Sequence, residues 1–303
     1  MIRYCEAVKR FGSEVAVDGL SLRIERGEAV ALLGPNGSGK TTTLKMAAGL
    51  IRPDAGDVLV GEPAFRPWEP SARRVLSYLP QRVAFPEALT GREIVEFYRR
   101  LRGIPAERSQ AVLKFASLNG AGERAVGTYS GGMVQRLGLA VAMLPEADLL
   151  LLDEPTAALD PDGLRAFYAL VEQRQAAGRT IFFTSHQVGD VERLADRFLV
   201  LANGRLVAEL SQAALRDCLA ARGTMRVRLD RDTPGLLEAI RRIAPSASRV
   251  GDEIVIAGAA SLRPQVLDLV RSSGAQIRGL VAEDGRLEAL YRELVARGAE
   301  HTE

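Results

Sequence analysis

The hydrophobic positions change period along the chain, and each change predicts a different kind of element. The opening stretches "IRYCEAV" and "VAVDGLSLRIERGEAVALL" are rich in β-branched and aliphatic residues and predict strands, with Gly12, Gly19 and Gly27 as turns. Within them "AVALL" is apolar at every position, the pattern of a strand covered on both faces in a mostly parallel sheet. It runs directly into the loop at Gly34 and the helical "TTTLKMAAGL". From about Ser71 to Gly127 the period turns helical, and in "GREIVEFYRRLRG" Ile94, Phe97, Tyr98 and Leu101 fall on one face. Solid apolar runs return at "DLLLLD", "TIFFT" and "RFLVLA", separated by the helical "DPDGLRAFYALVEQRQAAG" and "QVGDVERLAD". Strand and helix in alternation are the mark of right-handed βαβ crossovers. The Asn203-Gly204 pair predicts a hairpin turn.

After "SQAALRDCLAARG" the pattern restarts on a smaller scale. "TMRVRLD" alternates, "TPGLLEAIRRIAP" offers Thr233 as a cap with Pro234 at the first helical position, and "DEIVIAG" is a short strand. "SLRPQVLDLVRSSG", "AQIRGLVAE" and "GRLEALYRELVARG" complete a small strand and helix alternation. A boundary is expected near Gly223, giving a large domain over residues 1–215 and an accessory α/β domain over 224–303. At 303 residues the chain exceeds one comfortable core, which agrees with that division.

Composition narrows the function classes. The 40 basic and 38 acidic residues nearly cancel, so the chain carries no global electrostatic footprint for nucleic acid, and no nucleic-acid partner is expected. Every long apolar run is cut by Pro, Glu or Asp short of a bilayer span, and "MIRYCEAVKR" lacks a signal-peptide core, so a cytoplasmic location is expected. Cys5 and Cys218 stand far apart without CxxC spacing and read as buried small hydrophobes.

The strongest chemical signal is "GPNGSGKTT", residues Gly34, Pro35, Asn36, Gly37, Ser38, Gly39, Lys40, Thr41 and Thr42. It fits G-x-x-x-x-G-K-[ST] between a buried strand and a helix, the setting that pattern requires. The glycines let backbone N–H groups turn toward phosphate oxygens, and the helix N-terminus adds its dipole. In this arrangement Lys40 reaches the β- and γ-phosphates of a nucleotide and the Thr41 hydroxyl holds Mg²⁺. "LLLLDEP" then delivers Asp153 to the end of an apolar strand, where it can hold Mg²⁺ through water, while Glu154 can polarise an attacking water. Alone, that acidic pair would serve equally as a cap before the Pro155 turn. His186 follows "TIFFTS"; at the end of a buried strand beside a phosphate site it can hydrogen-bond a γ-phosphate, whereas a lone histidine elsewhere is usually a packed or surface residue.

"GPNGSGKTT", "LPQ" with Gln81, "YSGGM" with Ser130, Gly131 and Gly132, "LLLLDEP", "AALD" with Asp160 and "FTSH" with His186 stand in one order. Over roughly residues 1 to 215 that order resembles the ATP-binding subunits of ABC transporters. The resemblance implies an α/β fold with a mixed-sheet core, an antiparallel β subdomain and a helical subdomain, followed here by the small C-terminal α/β domain. It implies ATP and Mg²⁺ as cofactors, Phe11 stacked on adenine, and Gln81 linking the γ-phosphate and the metal to a membrane partner. It also implies that Ser130, Gly131 and Gly132 close over ATP held by a facing subunit, with Asp160 coupling the two sites of a head-to-tail homodimer. Tyr129 and Met133 depart from the family's usual Leu and Gln in "LSGGQ", and Met133 lacks the amide that would make one interface hydrogen bond.

One nucleotide domain without a membrane span implies separate integral membrane permease subunits and a peripheral position on the inner face of the cell membrane. "LTGREIVEFYRRLRG" looks like the subunits that pair with ABC-2 type permeases, commonly exporters. With "YSGGMVQRLGLA", the appended domain ending "GRLEALYRELVARG" resembles the subunits that serve nitrous oxide reductase maturation. A general drug, lipid or polysaccharide exporter subunit is the alternative. A non-transport ABC ATPase would be expected to carry tandem nucleotide domains, sustained heptads or strongly basic segments.

Overall fold

In the computed structural model, residues 1–118, 120–185, 193–231, 233–258, 260–283, 285, 290 and 293–294 are described. The chain divides into two compact units, Met1–Glu209 and Leu210–Glu300.

The first unit opens with β1 (Ile2–Phe11) and β2 (Glu14–Ile24), which pair antiparallel, and then β3 (Ala29–Leu33), buried at all five positions. Helix α1 (Lys40–Ala47) follows, then β4 (Ala55–Val60), which closes the three-stranded antiparallel sheet β2-β1-β4. A six-stranded sheet runs in the order β5-β6-β7-β3-β8-β9, with β5 (Leu76–Leu79), β6 (Leu149–Leu152), β7 (Thr180–Thr184), β8 (Arg197–Ala202) and β9 (Arg205–Ser211). Strands β5, β6, β7, β3 and β8 are parallel neighbours, so their C-terminal ends gather on one edge. In register Leu32 lies beside Thr184 and Leu152 beside Phe183, which brings Gly34, Asp153 and Thr184 to that edge together. A core including Ile2, Leu20, Ile24, Leu32, Leu44 and Phe182 draws on both sheets and α1. Each such side chain contributes about 1.5–3 kcal/mol by leaving water.

The helices of this unit are α2 (Ala72–Val75), α3 (Gly91–Leu101), α4 (Glu107–Phe115), α5 (Gly131–Met143) and α6 (Pro161–Ala176). Helix α3 begins at a capping box: Thr90 Oγ1 accepts from Glu93 N at 3.2 Å, and Thr90 N donates to Glu93 Oε2 at 2.8 Å. The Glu93 carboxylate accepts from both Thr90 N and Thr90 Oγ1, which holds it below the usual carboxylate range.

Several sequence expectations change. The stretch from Ser71 to Gly127 is not wholly helical, because "LSYL" forms β5 by pairing with β6. Gly19 is no turn: β2 runs through it with φ 63°, opposite a register shift in β1. Cys5 is exposed, because alternation along β1 buries Ile2 and Tyr4 and turns position 5 outward. On α3 the buried stripe is Gly91, Ile94 and Val95, while Phe97 and Leu101 are 58% and 68% exposed. Leu101 falls about 20° and Phe97 about 60° from Ile94 on the wheel, on the side away from Gly91 and Val95.

The second unit has α7 (Gln212–Ala221), β10 (Thr224–Leu229), α8 (Leu236–Ile243), β11 (Ser248–Val250), β12 (Glu253–Ala257), α9 (Arg263–Ser272) and β13 (Ile277–Glu283). Its sheet is antiparallel in the order β11-β12-β10-β13. Met225, Val227, Ile254 and Ile256 meet Leu236, Ile240, Val266 and Val270 of the two helices α8 and α9 in one core. Helix α8 starts later than Thr233-Pro234 predicts. Gly235, at φ 78°, is its cap, and Thr233 Oγ1 is buried with no partner among the described residues. "QVGDVERLAD" and "GRLEALYRELVARG" lie largely outside the described residues.

Candidate functional site

The loop from Gly34 to Gly39 is shaped by close approach. A Cβ on Gly34 would collide with Ser38 Oγ and with Leu201 O, the latter at 2.7 Å. Gly39, at φ 99°, lies so near Ala16 O that no side chain fits there. Gly37 also has positive φ, 82°, with open space beside it, and Ser38 is buried with its Oγ unpartnered among the described residues.

Lys40, the first residue of α1, is buried and folds back on the loop. Its Nζ donates to Gly34 O at 2.7 Å and to Pro35 O at 2.9 Å. Burial pushes the ammonium below its ordinary value, and the charges of Glu154 and Asp153 pull it back up. Thr41 Oγ1 donates to Asp153 Oδ1 at 3.2 Å.

Asp153 is fully buried where β6 ends, and burial raises its carboxyl above the ordinary range, against the hydrogen bonds from Thr184 and Thr41. Thr184 Oγ1 donates to the same Oδ1 at 2.8 Å. Asp153 Oδ2 has no hydrogen-bond partner among the described residues. Glu154, also buried, stands at φ 48°, and its backbone N donates to Thr184 Oγ1 at 2.8 Å. Gln81 Nε2 donates to Glu154 Oε2 at 2.8 Å.

Beside them opens a cleft of about 420 Å³, lined among others by Phe11, Asn36, Gly37, Thr42, Gln81 and Glu154, with Asp153 buried and joined to it through Thr41. Lys40 and Thr41 also line it. Phe11 is 51% exposed there, with Lys9 Nζ 5.5 Å from its ring centroid. Oxygen donors from Thr41, Asp153 and the Gln81 amide, with one buried carboxylate oxygen unsatisfied, suit a small hard divalent cation such as Mg²⁺.

A second cluster forms at the start of α5. Ser130 caps it, its Oγ accepting from Met133 N at 3.3 Å. A side chain on Gly131 would meet open space, while one on Gly132 would come within 2.9 Å of Ala158 O. Asp160 caps α6, its Oδ1 accepting from Gly163 N at 2.8 Å, and its Oδ2 lies 3.6 Å from Arg136 of α5. Tyr129 is anchored away from this tip, donating to Ala121 O at 2.7 Å beside Gly91, which leaves its hydroxyl room. None of Ser130, Gly131, Gly132 and Asp160 lines the cleft. His186 lies outside the described residues. The sequence reading did not single out Thr184 or Arg136; for Thr184 the available signal was a hydroxyl closing an otherwise apolar buried strand.

A strand, a glycine loop, a helix opening at a lysine and a buried acidic pair at the neighbouring strand's end define a P-loop mononucleotide-binding protein. Residues 17–157 match the ABC transporter domain family. The chain is 42% identical over 216 residues to Nod factor export ATP-binding protein I of Burkholderia lata, covering 68% of this chain and 69% of that one. It is 40% identical over 209 residues to the daunorubicin resistance ATP-binding protein DrrA3 of Streptomyces coeruleorubidus, covering 67% and 66%. A dimeric structure of MJ0796, a bacterial ABC transporter cassette, matches 70% of this chain and 99% of its own with a TM-score of 0.65 at 26% identity. The chain belongs to the ABC transporter ATP-binding family and is an ATP-binding ATPase.

Proposed function

We propose that the chain is the ATP-hydrolysing subunit of an exporter, working as a head-to-tail homodimer on separate permease subunits at the inner face of the cell membrane. The observation that carries this reading is the separation of the two clusters. Loop residues from Asn36 to Thr42, Gln81 and Glu154 line the cleft, and Thr41 bonds the buried Asp153, while Ser130, Gly131, Gly132 and Asp160 stand outside its lining and remain free to close on a neighbour's nucleotide. Within the cleft, Phe11 stacks on adenine and residues 34–42 grip the phosphates, with Lys40 leaving the Gly34 and Pro35 carbonyls to meet the β- and γ-oxygens. Thr41, Gln81 and Asp153 would hold Mg²⁺, which would supply positive charge to the phosphate oxygens. Glu154 takes a proton from the attacking water, whose oxygen bonds to the γ-phosphorus as the bridge to the β-phosphate breaks, leaving ADP and inorganic phosphate. His186 contacts the γ-phosphate. Loss of that phosphate removes the link between the halves and lets the dimer open.

Export as the direction rests on the relatives named for Nod factor export and daunorubicin resistance. Those names lend nothing to nitrous oxide reductase maturation, so the general exporter reading is the one proposed. The exposed Phe97 and Leu101 on α3 supply an apolar surface for the permease, and among the described residues no helix is long and apolar enough to cross a membrane. For residues 224–303 we propose a role in dimer stabilisation or regulation.

The test is Glu154→Gln. Turnover is expected to fall about 10²- to 10⁴-fold with ATP binding retained, and the variant to form an ATP-dependent dimer by light scattering. A variant that stays monomeric with ATP bound, even beside its membrane partner, overturns the composite-site reading.

A further inference from the structure

We infer that Thr184 is a positioning residue for ATP hydrolysis, one hydroxyl that sets both carboxylates of the site; this rests on the ATPase reading above. Thr184 closes β7 and is completely buried, following the apolar Ile181, Phe182 and Phe183. A hydroxyl has one proton to donate and two lone pairs to accept. Thr184 Oγ1 donates to Asp153 Oδ1 and accepts from the backbone N–H of Glu154, both at 2.8 Å. Two adjacent residues of the β6 end are thereby tied to a single atom of the neighbouring strand.

Each tie has a separate consequence. At Asp153, Thr184 and Thr41 both donate to Oδ1, and Oδ2 has no donor among the described residues. The carboxylate is thus sorted into one oxygen held by the fold and one turned over to a cation. At Glu154 the backbone is at φ 48°, a left-handed conformation that residues with side chains rarely hold unless their surroundings impose it. The bond from Glu154 N to Thr184 is one such restraint, and that backbone conformation sets the starting point from which the side chain reaches Gln81. A buried threonine needed only for packing would satisfy its hydroxyl on a nearby backbone carbonyl. Here the hydroxyl donates instead to the buried Asp153 carboxylate.

The experiment compares Thr184→Val, which keeps the shape and removes both bonds, with Thr184→Ser, which keeps the hydroxyl, in the full chain. Fluorescent-ATP titrations with and without Mg²⁺, a Mg²⁺ titration of turnover, and thermal melts are read together. For Thr184→Val we expect kcat to drop and the Mg²⁺ requirement to rise, each on the order of 10- to 100-fold, as when a partner of a metal ligand is lost. Metal-free nucleotide affinity should stay within about 3-fold of wild type, since the loop and Lys40 are untouched. Thr184→Ser should restore both kcat and the Mg²⁺ dependence. Should the valine variant not fold, Thr184→Ala gives the same readouts. A hydroxyl-free variant with wild-type kcat and Mg²⁺ dependence overturns the inference, as does a folded serine variant as impaired as valine. Wild-type protein that neither binds nor hydrolyses ATP overturns the ATPase reading itself.

Discussion

Both units bury an apolar sheet face under helices, yet they treat charge in opposite ways. In Met1–Glu209 the parallel strands are covered on both sides, and their shared C-terminal edge collects Lys40, Asp153 and Glu154, all buried. In Leu210–Glu300 the core is wholly apolar, Arg226 and Arg228 on β10 face outward, and among the described residues no charged side chain is buried. Burying a charge costs several kcal/mol unless it is paired, so a fold tolerates it where a ligand or a mechanism uses it. An Asp153 Oδ2 with no partner among the described residues, a lysine resting on loop carbonyls and a glutamate at positive φ occur together at this edge of the first unit, beside the cleft that Lys40 and Glu154 line, which marks it as the place where chemistry is done.

The contrast can be broken from either side. The largest effect is expected from Ile240→Ala in the core of the second unit, which should destabilise that unit by about 2–5 kcal/mol in denaturant unfolding. ATP affinity of the folded protein should stay at the wild-type level; a parallel loss of affinity would mean that the cleft depends on the second unit. Next comes Lys40→Ala. Losing a charged donor should weaken nucleotide binding by about 2–3 kcal/mol, roughly 30- to 150-fold in a fluorescent-ATP titration, with little change in melting temperature. Unchanged binding would contradict the phosphate role of the residue. Smallest is Thr90→Ala, which removes the α3 cap and should cost about 1 kcal/mol of stability while ATP turnover per folded molecule stays the same. A turnover loss there would tie the helical region to chemistry that the cleft geometry does not assign to it.

What was legible in the sequence was whatever a short window encodes. "AVALL", "LLLL", "TIFFT" and "RFLVLA" announced buried strands because no polar residue interrupts their cores, and the glycine spacing of residues 34–39 announced the loop. "LSYL" was misread within a helical stretch because four residues cannot display a period; only pairing with β6 makes them a strand. Phe97 and Leu101 share a face with Ile94 on a helical wheel, but the width of the stripe that is covered depends on what packs against α3. Thr233-Pro234 carried a good helix-start signal, and Gly235 displaced it by adopting the left-handed conformation open to glycine.

By itself the sequence determined the buried apolar strands β3, β6, β7 and β8, the phosphate loop with its lysine and threonine, and the acidic pair that ends β6, because each is written within about ten residues of chain. Only the tertiary structure decided that Thr184, 31 residues away, and Thr41, 112 away, occupy one oxygen of Asp153 while the other has no partner among the described residues. It alone decided that Gln81 rests on Glu154 across 73 residues, and that Ser130 and Asp160 stand outside the lining of the chain's own cleft. Local periodicity carries no record of which strands become neighbours, and hydrogen-bond geometry at a sheet edge follows from that neighbourhood.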